Sequence, residues 1–192
     1  MKLCSFVAIE IPSTTQDAII KQTANLRQDY PKPDVRWVQT GNIHLTLKFL
    51  GDESPQNLKI LARSLGFDAI KIEPFTISFS EMGIFPNARK PRIIWGGVST
   101  PAILITVYNK IEEIASKLGH QPETRSFSPH ITLGRIGNSF PMVNTKKMLM
   151  DFKSINLDCI DPLIISEIKI FKSDLKPGGP IYTSIHIIPF GK

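Results

Sequence analysis

Two short segments of the chain carry a histidine followed two positions later by a threonine, at His44-Leu45-Thr46-Leu47 and His130-Ile131-Thr132-Leu133. Alternate side chains of a β-strand point to opposite faces. Read as strands, both segments therefore place the histidine and the threonine on one face and the two aliphatic residues on the other. Because the aliphatic face belongs in a core, we expect one imidazole and one hydroxyl from each segment at a shared surface.

A pair of imidazoles and a pair of hydroxyls suit in-line displacement at a phosphodiester. With an ordinary pKa near 6.5, one neutral imidazole can take a proton from the attacking water while a protonated one supplies a proton to the leaving oxygen. Each threonine hydroxyl can donate to a non-bridging phosphate oxygen and so stabilise the charge of the transition state. The two segments therefore predict a two-histidine phosphodiesterase site.

Zinc is the main alternative use of a histidine pair. Neither segment has a third histidine, a cysteine or a carboxylate beside it at ligand spacing. We therefore expect no metal and no organic cofactor. The remaining histidines, His120 and His186, are expected to have surface or structural roles.

The length and composition favour one soluble domain. The chain has 192 residues, a hydrophobic fraction of 42% and a net charge of +6, which favours an anionic partner such as RNA or a phosphorylated small molecule. No segment approaches the roughly 18 uncharged apolar residues of a membrane span. Cys4 and Cys159 lie far apart in the sequence and are expected to be buried, reduced thiols. We expect a cytoplasmic monomer in which residues 1–192 form a single two-lobed domain.

Strands and helices are expected to alternate along the chain. Patterns of apolar residues and turn signals predict strands at 4–11, 35–39, 43–50, 75–79, 92–98, 129–136, 164–171 and 181–189. Helices are predicted from within 13–16 to about 30, and at 55–65, 102–118 and 143–150, with a loop at 81–87. Tight turns also join neighbouring strands, so an α+β fold with mostly antiparallel pairing is favoured.

The two halves of the sequence share the order strand, helix, histidine-bearing strand, helix. Their detailed sequences differ, so this order predicts two structurally similar lobes rather than a sequence repeat. A pseudo-twofold arrangement of these lobes would bring the two histidine strands face to face at a central cleft.

Several segments together resemble the bacterial and archaeal RNA 2′,3′-cyclic phosphodiesterase family, historically called 2′-5′ RNA ligase, of the two-histidine phosphoesterase superfamily. The similarity covers nearly the whole chain and lies in residues 6–12, 36–38, 42–51, 83–86, 91–98, 127–135 and 176–182. The resemblance implies a bilobal fold and hydrolysis of a 2′,3′-cyclic phosphodiester at an RNA 3′ end or on a small cyclic nucleotide, leaving a 2′-phosphate. It also implies a weaker reverse activity, 2′-5′ ligation.

The resemblance also implies roles for individual residues. His44 corresponds to the proton donor to the 3′ oxygen and His130 to the proton acceptor that activates water, an assignment that the residues alone leave open. Thr46 and Thr132 would hold phosphate oxygens, and Arg135 matches an arginine near the phosphate. Strand alternation places Arg135 on the face opposite His130, so its role requires a bulge, which Gly134 would permit.

Further candidates for substrate binding are Lys48, Arg92 and Phe85. Lys48 shares the face of His44 by alternation, Arg92 would add positive charge to the cleft, and Phe85 could stack on a terminal base. Two other functions fit the same residues. One is a phosphodiesterase for another cyclic or 2′-5′-linked nucleotide, and the other is a non-catalytic module that binds RNA or nucleotides. The second is disfavoured because binding alone needs no acid–base pair.

Overall fold

The structure of the chain, a computed structural model, describes residues 2–69, 71–141 and 143–191. The strands are β1 (Leu3–Glu10), β2 (Val35–Trp37), β3 (His44–Glu53), β4 (Phe75–Ile77), β5 (Phe79–Phe85), β6 (Ile93–Val98), β7 (His130–Ile136), β8 (Leu163–Ile165), β9 (Glu167–Lys176) and β10 (Gly179–Pro189). The helices are α1 (Ser13–Gln22), α2 (Ala24–Asp29), α3 (Pro55–Ala69), α4 (Ala102–Lys117) and α5 (Val143–Phe152).

Eight of the strands form one large sheet. Its order is β10-β9-β1-β3-β7-β6-β5, with β2 joined to β7, while β4 and β8 form a separate two-stranded sheet. The strand pairs of the described residues are antiparallel. The predicted α+β class with antiparallel pairing is thereby confirmed.

The two halves of the chain build two similar lobes. The elements β1, α1, β3, α3, β4 and β5 recur in the same order as β6, α4, β7, α5, β8 and β9. Each lobe also takes one strand from the other half, because β9 pairs with β1 and β5 pairs with β6. The sheet is therefore symmetric about the seam between β3 and β7, and the predicted bilobal, pseudo-twofold architecture is confirmed.

Helices cover one face of the sheet and enclose the core. α3 contacts β10 and α4, α4 contacts β3, and α5 contacts β5. The aliphatic residues of the two histidine segments face this core and are all at most 4% exposed: Leu45, Leu47, Ile131 and Leu133. The opposite face carries the histidines and threonines, which are half-buried.

The helix predicted to run to residue 30 is interrupted at Thr23. Its hydroxyl, fully buried, donates to Ile19 O at 2.9 Å, the residue one turn earlier. Such back-bonding by threonine competes with the regular helix and bends it. The chain consequently forms α1 and α2 instead of one continuous helix.

The loop predicted at 81–87 is wrong for residues 81–85, which continue β5 to Phe85, and holds only for residues 86–87. Within this strand, Gly83 makes room for an aromatic ring. A Cβ on Gly83 would lie 2.7 Å or less from three ring atoms of Trp95 on the neighbouring strand. The glycine therefore serves close packing within a strand.

Two further features concern the surface. Cys4 and Cys159 are free thiols, as expected, but both are exposed, which corrects the prediction that they are buried. Cys4 lies near the start of β1, and Cys159 follows α5 in a turn. None of the helices in the described ranges has the length and apolarity needed to cross a membrane.

Candidate active site

The two histidine segments are neighbours at the centre of the sheet. β3 and β7 pair through Leu45 and Ile131, each of which stands between the histidine and the threonine of its own segment. Because the strands are antiparallel, His44 lies alongside Thr132, and Thr46 lies alongside His130. The structure therefore brings all four predicted residues together on one face, related by the local twofold axis.

The two imidazoles are held by the same backbone contact. Nδ1 of His44 lies 2.8 Å from Asn42 O, and Nδ1 of His130 lies 2.7 Å from Ser128 O. Since a carbonyl oxygen only accepts hydrogen bonds, Nδ1 carries the proton in both rings. In the neutral form, Nε2 is then the unprotonated nitrogen, available as an acceptor.

The carbonyl that orients His44 belongs to a loop held by a buried glutamine. Gln16, 3% exposed, accepts from the amides of Gly41 and Ile43 at 2.8 and 3.2 Å through Oε1 and donates to Ile11 O at 2.7 Å through Nε2. Gly41 has φ of +90°, which glycine adopts at little cost. Helix α1 therefore positions the residues that lead into the first histidine.

The surroundings of His44 lower its pKa. The main cause is burial, which disfavours the charged imidazolium, and the positive charges of Arg135 and His130 act in the same direction. The hydrogen bond to Asn42 acts in the opposite direction. The free protein therefore favours a neutral His44 at neutral pH.

Arg135 reaches the histidine face through a β-bulge. On β6, Ile94 and Trp95 are adjacent, but their partners on β7 are Gly134 and Thr132, so Leu133 is the extra residue. Leu133 and Gly134 are both buried, and Arg135 is exposed again on the side of Thr132. The expected bulge is present, next to Gly134, and Arg135 is close enough for its charge to act on His44.

A matching bulge in β3 has the opposite consequence for Lys48. Val7 and Ala8 pair with Lys48 and Thr46, so Leu47 is the extra residue and Lys48 turns to the core face. Its ammonium group lies 2.8 Å from Glu112 Oε2 and 2.9 Å from Gln121 O, and the residue is 7% exposed. The prediction that Lys48 lines the cleft is therefore wrong, because simple alternation does not hold past the bulge.

Phe49, missed in the sequence, occupies the place on β3 that Arg135 occupies on β7. Each is five positions after its histidine, and Phe49 is 74% exposed. Phe49 faces Phe6 across the strand pair, and their ring centroids are 6.3 Å apart. Aligning the two segments by their histidines shows that Phe49 and Arg135 are equivalent. The sequence does not show the bulges that bring both residues to the cleft face.

Aromatic rings flank both histidines. Phe6 stacks on His44 with centroids 4.8 Å apart, and Tyr182 meets the same imidazole edge-on at 5.0 Å. On the other lobe, Phe85 meets His130 edge-on at 4.9 Å and stacks on Trp95 at 5.1 Å. Phe85 is thus at the site, as predicted, whereas Phe6 and Tyr182 were not selected from the sequence.

A recess opens beside His44 on the aromatic side. It is lined by Phe6, Glu10, Gly41, Ile43, His44, Phe171, Tyr182 and Ser184. Aromatic rings form part of this lining, while Glu10 and Ser184 supply polar groups. The recess could accept a planar apolar group with polar edges next to the reacting phosphate.

Arg92 does not join the histidines. The amide of Ile136 bonds to Arg92 O, which places Arg92 opposite a buried residue and away from the side of Arg135. Its guanidinium donates to Asn138 Oδ1 instead. The side chain lies at the rim of this lobe, so the prediction that it lines the cleft is not supported.

The carboxylates, thiols and imidazoles of the described ranges include no group of three arranged to hold a metal ion. His120 Nε2 lies 3.5 Å from Glu53 Oε1. Among the described residues, no contact joins His120 to His44 or His130. The reactive groups at the seam are therefore two imidazoles, two hydroxyls and one guanidinium.

Comparison with known proteins places this arrangement in a family. The model of LigT-like phosphoesterases matches residues 9–95 and 98–182. A Methanocaldococcus jannaschii protein named RNA 2′,3′-cyclic phosphodiesterase is 32% identical over 94% of this chain and 96% of its own. A protein of the same name from Methanothermobacter thermautotrophicus is 28% identical over 97% and 98%.

A solved structure shares the fold. The crystal structure of Escherichia coli LigT complexed with 3′-AMP superposes with a TM-score of 0.76 at 24% identity and covers both chains completely. With the family model matching nearly the entire length and both histidine segments inside the matched ranges, the chain belongs to the LigT-like phosphoesterase family.

Proposed function

We propose that this chain hydrolyses 2′,3′-cyclic phosphodiesters at RNA 3′ ends or on small nucleotides and leaves a 2′-phosphomonoester. The observation that carries the proposal is the pair of half-buried imidazoles at the β3–β7 seam, each with Nδ1 tied to a carbonyl and each beside a threonine. The names of the relatives from two archaea support the same activity.

In the proposed mechanism the two histidines act as acid and base. His130 Nε2 takes a proton from water, whose oxygen attacks phosphorus in line with the 3′ oxygen. His44 Nε2 gives its proton to the 3′ oxygen as the P–O3′ bond breaks. The product carries a free 3′ hydroxyl and a 2′-phosphate, and the next cycle begins when a proton returns from His130 to His44 through solvent.

Thr46, Thr132 and Arg135 stabilise the phosphate during this displacement. Each hydroxyl donates to a non-bridging oxygen, and the guanidinium supplies a full positive charge on the same face. As proton donor, His44 must be protonated in the complex. The negative charge of the bound phosphate offsets the positive charge of Arg135 and so raises the pKa of His44. No step of the mechanism requires a metal or an organic cofactor.

The same site can run in reverse. If a 5′ hydroxyl replaces water as the nucleophile, attack on the cyclic phosphate with loss of the 3′ oxygen yields a 2′-5′ linkage. Hydrolysis dominates because water is far more concentrated than any RNA 5′ end. We therefore propose ligation as a minor activity of the same four residues.

The test is turnover of 2′,3′-cyclic AMP, with identification of the product as 2′- or 3′-AMP. We expect 2′-AMP, and we expect His44→Ala and His130→Ala each to lower kcat by about 10²–10⁴-fold. His186→Ala is the matched control, because His186 pairs with Ile170, which faces the core away from the cleft. If the two cleft variants keep full activity while folded, the two-histidine mechanism is wrong.

Two further measurements separate the alternatives. Activity should survive EDTA, whereas activity that is lost in EDTA and restored by zinc would contradict the metal-free mechanism. A panel that includes 2′-5′-linked and 3′,5′-cyclic nucleotides tests whether another phosphodiester is the better substrate.

A further inference from the structure

A second arginine lies beside Arg135 on the same face of the sheet. β2 pairs with β7 so that Arg36 stands directly opposite Arg135, with Val35 opposite Ile136 and Trp37 opposite Gly134. Side chains of directly paired residues lie on one face, about 5 Å apart at Cβ. Arg36 is therefore one strand spacing from the arginine that faces the catalytic phosphate.

Two like charges in this position destabilise the pairing of their strands unless an anion lies between them. Both guanidinium groups are exposed, and neither forms an ion pair with any of the described residues. Other cations of the chain, such as Lys48, Lys147 and Lys169, do have carboxylate partners. The arginine pair is thus an unneutralised cationic site beside the histidines.

The positive charge of this arginine pair lies at one end of the cleft, as a comparison of equivalent positions in the two lobes shows. The position equivalent to Arg135 in the other lobe is Phe49, and none of the strands in the described ranges is added to β3 as β2 is added to β7. Across the seam the exposed face therefore changes from two arginines, through the histidines, to the aromatic ring of Phe49, which lies beside the buried Phe6. A ligand with charge on one side of its reacting phosphate fits this polarity.

We propose that Arg36 binds the backbone phosphate adjacent to the terminal cyclic phosphate, so that a short RNA chain is bound more tightly than a cyclic mononucleotide. This inference rests on the proposed function, in which Arg135 and the threonines hold the terminal phosphate. A mononucleotide has no second phosphate for Arg36, whereas every RNA oligomer has one. Arg36 is then a binding residue that discriminates between substrate lengths.

The test compares two products of the proposed reaction, which are not hydrolysed further by it: 2′-AMP and an RNA trinucleotide ending in a 2′-phosphate. Their dissociation constants are measured by calorimetry for the wild type, Arg36→Gln and Arg63→Gln. Arg63 is the matched control, because it is an exposed arginine on α3, which packs on the other side of the sheet. Binding, unlike turnover, does not depend on the proposed chemistry.

We expect Arg36→Gln to weaken binding of the trinucleotide about tenfold, as for the loss of one charge-assisted contact, and to leave binding of 2′-AMP unchanged. The slope of log Kd against log salt for the trinucleotide should fall by about 0.7, as for one phosphate contact on a single strand. Arg63→Gln should change neither value. Among the described residues the Arg36 side chain forms no hydrogen bond and no ion pair, and the substitution removes a like charge opposite Arg135, so the variant should fold without a loss of Tm.

Equal weakening of both analogues, or no effect on either, would overturn the assignment of Arg36. Failure of the proposed function has a different signature, since the wild type would then not hydrolyse the cyclic trinucleotide whatever the affinities. If hydrolysis occurs, Arg36→Gln should lower kcat/KM for the cyclic trinucleotide about tenfold and leave kcat/KM for 2′,3′-cyclic AMP unchanged.

Discussion

The two histidines share a backbone contact but differ in their surroundings. Both donate from Nδ1 to a carbonyl two residues earlier, while only His44 has a ring stacked on it and a second ring against its edge, from Phe6 and Tyr182. Burial among these rings is the main cause of its lowered pKa. Burial therefore disfavours the imidazolium form of His44 in the free protein.

This difference predicts the pH dependence of kcat/KM. A proton donor must be protonated, so kcat/KM should fall as the pH rises through the pKa of His44, which lies below its ordinary value of 6.5. Because the charge of Arg135 contributes to this lowering, Arg135→Gln should raise the pKa of His44 and move the alkaline limb to higher pH. The same variant should lower kcat/KM about tenfold or more through loss of phosphate binding.

The measurement is the pH profile of kcat/KM for 2′,3′-cyclic AMP, together with an NMR titration of the His44 ring. A shift of the acid limb in Arg135→Gln, with the alkaline limb unchanged, would show that His44 is the base. The roles of the two histidines would then be exchanged.

Lys48 is expected to stabilise the fold rather than bind substrate. Its ion pair with Glu112 is largely buried, with side-chain exposures of 6% and 16%. Lys48→Met leaves the carboxylate without its cation and should lower the free energy of unfolding by about 3 kcal/mol. The double variant Lys48→Met/Glu112→Leu should recover most of that loss, because no unpaired charge remains.

Urea denaturation gives the stability of both variants, and KM for 2′,3′-cyclic AMP gives the effect on binding. KM should stay unchanged in each. A variant that keeps its stability but shows a tenfold higher KM would show that Lys48 binds substrate.

At the scale of elements, the two histidine strands have the same irregularity. β3 and β7 each carry an extra residue, Leu47 or Leu133, directly after the threonine. A bulge of this kind changes which face the following residues occupy. The bulge buries Lys48 in β3 and brings Arg135 to the cleft in β7. The same backbone irregularity therefore supports two different side-chain roles.

Gln16 is a positioning residue that connects α1 to the loop before β3. Gln16→Leu removes the partners of two backbone amides and one carbonyl, which should cost on the order of 3 kcal/mol of stability. Because Asn42 in this loop accepts from His44, we also expect kcat to fall about tenfold, the effect of a misplaced catalytic group.

A destabilised control separates these two effects. Thr23→Val removes a buried hydroxyl that donates to Ile19 O and accepts from Arg27 Nε, contacts that do not involve Gln16 or Asn42, so it should lower stability without changing kcat. The comparison uses urea denaturation and kcat at a temperature where all variants are folded. If Gln16→Leu lowers stability alone, the glutamine has no part in positioning His44.

At the scale of the whole molecule, the site lies on the local twofold axis and takes one histidine and one threonine from each lobe. β3 and β7 meet there through Leu45 and Ile131, and β2 adds the neighbouring pairing with β7. A phosphate held by Thr46 from one lobe and by Thr132 and Arg135 from the other would connect the lobes. Ligand binding should therefore stabilise the entire domain.

Inorganic phosphate is expected to raise Tm. At a concentration 100 times its dissociation constant, phosphate stabilises the folded state by about 2.7 kcal/mol. In a domain of this size each kcal/mol raises Tm by roughly 2–4 °C. Arg135→Gln should abolish most of the shift, and Arg63→Gln should retain it. Thermal unfolding followed by circular dichroism measures both, and an equal shift in Arg135→Gln would place the anion elsewhere.

The sequence by itself determined which reactive groups share the site, two imidazoles and two hydroxyls, and most of the order of the elements. Alternation of side chains is a local property with a period of two, so His44 and Thr46 could be assigned to one face, as could His130 and Thr132. The tertiary structure decided what lies past each threonine and across each strand. Bulges and register arise from pairing between distant segments, and only that pairing buried Lys48, brought Arg135 to the cleft and set Arg36 opposite it.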